Sequence, residues 1–296
     1  MYISTECFGT NYTEKESIKI LADVGFDAIN YAFVTPKFYN GEMSDEECME
    51  YYADLKKYAE GYKMVFNQAH APYPSGSSNP EEADRLFNNI VRSMRNASYL
   101  GIKTIVVHGI DYLDYNADGG AQQLFEMNMN FYTKLKPYCE KYEIRIALEN
   151  IFKTKRFLVG ERGENSVCST PQELIRYLDA LNSECFTACL NIGHALITGQ
   201  KPEEFIRMLG KKRLTALQVN DNNGLRDWHT LPYGGVADWT KIMKALNEIG
   251  YTGDLTLDAG NFLTPLPKEL YPAGAELMVS VAKHLRDIFY TQTSQI

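Results

Sequence analysis

The 296-residue chain predicts a (β/α)8 TIM barrel of the α/β class, a single domain spanning residues 1–296. Three observations predict it. Eight short β-like runs alternate with longer amphipathic stretches up to the C-terminus, the length suits eight strand–helix units, and glycines stand where helical patterns hand over to strands. A doubly wound open sheet is the lesser alternative.

The first run, YISTECF (2–8), leads to TEKESIKILADVG (13–25), a helical pattern that opens with Thr followed by Glu, as N-caps do, and closes at Gly25. FDAINYAFV (26–34) precedes SDEECMEYYADLKKYAEGY (44–62), with Gly61 near its end. KMVFNQAHA (63–71) precedes NPEEADRLFNNIVRSMRNASYLG (79–101), and IKTIVVHG (102–109) and IRIALEN (144–150) are the fourth and fifth strands. After the fifth, residues 151–169 have no clean period. That is long for a loop in a compact domain and reads either as a lid or binding loop, whose Lys153, Lys155, Arg156 and Arg162 would meet an anionic substrate, or as a solvated, partly disordered insertion. STPQELIRYLDAL (169–181), CFTACLNIG (185–193), LTALQVND (214–221) and DLTLDAGN (254–261) follow, the last preceded by Gly250. The stretch 269–290 closes the ring, and the TQTSQI tail is expected to fray.

With 45% hydrophobic and 23% charged residues the chain has ample core-forming material. A net charge of −8 and a pI near 5.3 argue against a general nucleic-acid binder, which concentrates Lys and Arg against phosphates. MYISTECFG lacks the basic start and apolar core of a secretory signal, and no run approaches a membrane span. A cytoplasmic protein with no membrane partner is expected. Cys7, Cys48, Cys139, Cys168, Cys185 and Cys189 show no CxxC spacing and read as free thiols.

In such a barrel the active site lies at the C-terminal ends of the strands. Four of the five histidines stand there: His70, His108, His194 and His229; His284 falls in a helix. Glu149, Asp221, Asp227 and Asp258 join them. Imidazoles mixed with carboxylates suit Zn²⁺, Mn²⁺, Co²⁺ or Fe²⁺ better than an all-oxygen calcium site.

The segments HAPYP, VVHG, ALEN, NIGHA and DWHTLPYGGVADW, after strands three to seven, resemble the xylose isomerase-like TIM-barrel superfamily. That superfamily includes ketose 3-epimerases, inosose dehydratases and isomerases, and nucleases of the endonuclease IV type. The resemblance implies a core divalent-metal site of Glu149, Asn191 (usually Asp), Gln218 (usually His) and Asp258 (usually Glu). Three of these four depart from the pattern, each to a residue that still carries an oxygen; amide oxygens suit Mg²⁺ or Mn²⁺, while Zn²⁺ affinity should fall. Two flanking sites implied by the endonuclease-like members are complete: His70, His108 and Glu149, and His194, Asp227 and His229.

The resemblance further implies a metal-dependent isomerase, epimerase or dehydratase of a small sugar or polyol, with Glu149 and Asp258 moving a proton on opposite faces. The alternatives are a phosphoesterase of the endonuclease kind and a non-catalytic sugar- or metal-binding barrel. Tyr73, Trp228 and Phe262 are candidates for an apolar wall against the substrate, and Asn150 and Asn222, with Asn67, Gln68 and Asn220, for binding its hydroxyls. Asn220 stands where the family often has a lysine, and Tyr233 where it usually has a glycine. The oligomeric state, a homo-oligomer included, is open.

Overall fold

The computed structural model describes residues 1–33, 43–154 and 161–291; Val34, Lys155, Arg156 and the tail beyond Thr291 lie outside them. The N-terminal half runs β1 (Ile3–Thr5), α1 (Glu14–Val24), β2 (Ala28–Ala32), α2 (Asp45–Gly61), β3 (Val65–His70), α3 (Pro80–Leu100), β4 (Thr104–Val107), α4 (Gly120–Tyr142) and β5 (Arg145–Glu149). A small antiparallel pair follows, β6 (Phe152–Lys153) with β7 (Glu164–Asn165). The chain continues through α5 (Pro171–Leu181), β8 (Phe186–Asn191), α6 (Ile192–Ile197), α7 (Pro202–Arg213), β9 (Leu214–Gln218), α8 (Trp239–Glu248), β10 (Leu255–Leu257) and α9 (Tyr271–Thr291).

Eight parallel strands form one sheet in the order β10-β1-β2-β3-β4-β5-β8-β9. A parallel bridge between Val219 and Leu257 joins its two edges, with Val219 N–H donating to the Thr256 carbonyl at 2.8 Å and Asp258 N–H to the Val219 carbonyl at 3.0 Å. The barrel is therefore nearly closed, and the expected (β/α)8 fold is the one observed.

Local chemistry explains the helix starts. Thr13 and Ser44 form capping boxes with Glu16 and Glu47, and Asn79 and Thr170 cap helices that begin at Pro80 and Pro171. At the other end, Gly25 and Gly101 take left-handed backbone as expected, whereas Gly61 stays helical and Lys63 (φ 59°) makes the turn into β3.

Strand alternation sorts the side chains. Ile105, Val107, Ile146 and Leu148 face the helices in the main core, while Val106, Ala147, Cys189 and Ala216 form a separate small cluster. The residues two positions further along β4, β5, β8 and β9 are His108, Glu149, Asn191 and Gln218. Period two thus delivers polar side chains to the C-terminal mouth above an apolar plug. Among the described residues no helix is long and apolar enough to cross a membrane, and all six cysteines are free.

Candidate metal centre and active-site cavity

A cavity of about 290 Å³ opens at the C-terminal ends of the strands. Each of the eight strands contributes one residue to it from its last position or the one just after: Glu6, Ala32, His70, His108, Glu149, Asn191, Gln218 and Asp258. Tyr73, Ile151, Phe152, His194, Asp227 and His229 complete the lining from the loops.

Within the cavity the ligand-type atoms gather in two groups. In the first, Glu149 Oε2 lies 2.9 Å from His108 Nε2 and 3.3 Å from His70 Nε2, and the two ring nitrogens are 3.1 Å apart. His70 Nδ1 donates to the Ala71 carbonyl at 2.8 Å, which leaves Nε2 to face the cluster. In the second, Asp227 Oδ2 lies 2.8 Å from His229 Nε2 and 3.8 Å from His194 Nε2. His194 Nδ1 donates to the Asn150 carbonyl at 2.8 Å and His229 Nδ1 to the Asp258 carbonyl at 3.0 Å. Orienting a ring through Nδ1 while Nε2 converges on a carboxylate oxygen is the arrangement of metal-ligating histidine, so both groups fit a divalent cation.

Between them the expected core site has a different character. Asn191 caps α6: its Oδ1 accepts the His194 N–H at 3.1 Å and Asn220 Nδ2 at 3.0 Å. A backbone donor fixes the orientation of this amide, so Nδ2 points the other way, to Glu149 Oε1 at 2.9 Å and Asp258 Oδ2 at 3.4 Å. Asn220 Nδ2 adds a second donor to Asp258 Oδ2 at 3.3 Å. The oxygen expected to bind a cation at Asn191 is engaged elsewhere, and N–H groups stand where the cation would be. Gln218 Oε1 has no hydrogen-bond partner among the described residues. Gly193 permits this packing, because a Cβ there would lie 1.9 Å from Asn220 Oδ1.

Electrostatics follow from this crowding. Burial raises Glu149, but His108, His70 and His194 outweigh it and hold the carboxyl well below its usual range. Burial disfavours charge on His70, yet Glu149 lifts it to about 9. His229 rises to about 12 because Asp258 and Asp227 override burial, and burial lowers His108. Asp227, despite burial, is pulled down by His194 and His229.

Glu6, not singled out from the sequence, faces the same space. Burial, reinforced by Asp258, pushes it up to about 7. Its signal was the alternation itself: Ser4 points inward to bond Thr256 at 3.1 Å, so the residue two further on must do the same.

The substrate-facing expectations divide. Tyr73 lines the cavity and stacks on His108 at 5.1 Å between ring centres. Trp228 and Phe262 fall outside the lining, Trp228 on the surface and Phe262 against the main core. Asn150 is buried and binds both the N–H and the carbonyl of Asn191; Asn222 is buried and binds the Gly193 carbonyl and the Gly224 N–H. Both therefore hold backbone rather than face the cavity. Asn67 bonds Asp254, and Gln68 the Leu217 carbonyl. Asp221 is also buried, with Oδ1 accepting the N–H groups of Asn222 and Ala237 and Oδ2 those of Tyr233 and the Trp239 indole.

Within the expected loop, the described residues 151–154 and 161–169 are less shapeless than expected. The β6–β7 pair brings Phe152 edge-on to His194 at 4.9 Å, and Lys153 is engaged with the Asp111 carbonyl and carboxylate. Arg162 packs at Gly199, away from the cavity lining.

Residues 18–281 match the family model described as xylose isomerase-like TIM barrel. The chain belongs to this family. Among curated proteins, an uncharacterised protein of Methanocaldococcus jannaschii is 26% identical over 197 residues, 65% of this chain and 64% of that relative. The chain thus spans less than two-thirds of that relative's length. Among solved structures of the same fold, a D-tagatose 3-epimerase-like protein is 20% identical with a TM-score of 0.78, covering 99% of this chain and 100% of that one. A D-psicose 3-epimerase with D-fructose is 17% identical (TM-score 0.73; 98% and 99% covered), and an IolI protein with a zinc atom is 16% identical (0.73; 99% and 99%). At these identities the likeness carries the fold.

Proposed function

We propose that the protein is a divalent-metal-dependent isomerase or epimerase, or a dehydratase, acting on a sugar or polyol by proton transfer at a carbon next to a carbonyl. One observation carries the reading: two His₂–carboxylate groups and a further carboxylate, Asp258, share a single cavity whose centre is held open by amide side chains. His70, His108 and Glu149 would hold one ion, and His194, Asp227 and His229 a second, with Zn²⁺, Mn²⁺, Co²⁺, Fe²⁺ and Mg²⁺ as the candidates. A bound ion supplies Lewis acidity that stabilises negative charge growing on the substrate's carbonyl oxygen.

The protein's own groups do the rest. Glu149, held ionised, takes a proton from carbon, and Asp258 returns one from the other side. Asn191 Nδ2 bridges the two carboxylates and sets their spacing. Tyr73 and Phe152 shield the site from water on the His108 and His194 sides. The epimerases of the same fold, one solved with D-fructose, support the substrate class.

Exchange of a substrate C–H proton with solvent deuterium tests the reading. Metal-loaded protein should catalyse exchange with at least one sugar, and Glu149→Gln should abolish it; a broad sugar panel without exchange rejects the proposal. The two complete ligand groups also suit phosphoester hydrolysis. Against that stands a lining without Lys or Arg among the described residues.

A further inference from the structure

Two polar groups of the cavity wall have no role in the chemistry above. Glu6 Oε1 accepts Asn30 Nδ2 at 3.2 Å, and no other hydrogen-bond partner of this carboxylate is found among the described residues. Gln218 is 1% exposed and its Oε1 is buried without a partner, although its side chain lines the cavity. Gln218 Oε1 is a buried acceptor, and the half-buried Glu6 carboxylate, when ionised, offers another through the oxygen that Asn30 does not hold. A buried acceptor is satisfied by a ligand that donates, and a hydroxyl does so while a phosphate dianion brings only further acceptors. No lysine or arginine lines the cavity among the described residues to receive such a dianion.

We propose that Glu6 and Gln218 are specificity-determining residues that bind substrate hydroxyls and select an uncharged, hydroxyl-rich sugar over its phosphate ester. This rests on the isomerase reading and adds the substrate's charge class to it. A site built to hydrogen-bond hydroxyls rejects analogues that leave its buried groups unpaired.

The test uses protein reconstituted with Zn²⁺ or Mn²⁺ in deuterated water, with deuterium uptake followed by NMR for free ketopentoses and ketohexoses and their terminal phosphate esters. The free sugar should exceed its ester in kcat/KM by about 100-fold, toward the upper end of the range expected when one buried polar group is left without a partner. Glu6→Gln should raise KM for the free sugar more than it lowers kcat, Glu6→Asp should recover part of the loss, and Gln218→Met should act in the same direction as Glu6→Gln. Melting curves of the variants close to that of the parent confirm that they fold. Exchange that favours the ester, or a KM unmoved in both Glu6→Gln and Gln218→Met, overturns the inference alone. No exchange from any sugar overturns the isomerase reading and this inference with it.

Discussion

Asn191 shows how much one side chain can redirect. As the cap of α6 it must present its oxygen to the His194 N–H, and that obligation turns N–H donors toward Glu149 and Asp258. An aspartate there would accept the same N–H and still offer a second oxygen to a cation, which is why a one-atom change alters the centre of the site. Glu173 shows a second local effect. Burial pushes its carboxyl up to about 7, although Tyr115 donates to it at 3.1 Å. A carboxyl raised in the folded state favours the protonated fold, so stability is greatest below the unfolded value near 4.5 and declines as pH rises toward 7. Glu173→Gln should therefore stabilise the fold at pH 8 by on the order of 1–3 kcal/mol, read as a higher melting temperature, with little change near pH 4. Thermal melts at the two values check this, and an equal shift at both would contradict it.

At the scale of elements, the β9–α8 connection matters most, because it carries Asp227 and His229 without regular structure of its own. Asp221 organises it, gathering four N–H groups from residues 222 to 239 onto one buried carboxylate. Replacing one carboxylate oxygen with an amide sets N–H against N–H. Asp221→Asn should loosen the His194–Asp227–His229 group while leaving His70–His108–Glu149 intact, so bound metal should fall by about half. His70→Ala should remove the other half, and elemental analysis of the two variants reads both outcomes. The sequence placed Asp227 and His229 in this loop as candidate ligands, and it marked Asp221 as a rim carboxylate. Only the folded loop shows that Asp221 points inward to backbone, because its partners are up to 18 residues away.

For the whole molecule, the four histidines and their carboxylates form a charge network in which a bound metal would compete with protons. With His70 raised to about 9 and His229 to about 12, protons favour the nitrogens proposed as ligands at neutral pH, so metal uptake would release them. Apparent metal affinity should climb as pH rises from 6 to 8, and titrations in buffers of different ionisation enthalpy should record proton release; affinity independent of pH would refute the assignment. Chelation should also lower the melting temperature, since an ion that binds only the folded chain stabilises it by mass action.

The eightfold alternation, the helix caps and the clustering of histidines at strand ends were all written locally, in periodicities of 2.0 and 3.6, so the sequence alone determined the barrel and the histidines and carboxylates gathered at its mouth. It could not decide which face of an amide turns inward, that Asn150 and Asn222 hold backbone, or that Trp228 and Phe262 miss the cavity. Those outcomes depend on closing the ring. Only when β10 pairs with β1 do residues more than 250 positions apart, such as Glu6 and Asp258, share one small space, and there competition among neighbours for hydrogen bonds sets their roles.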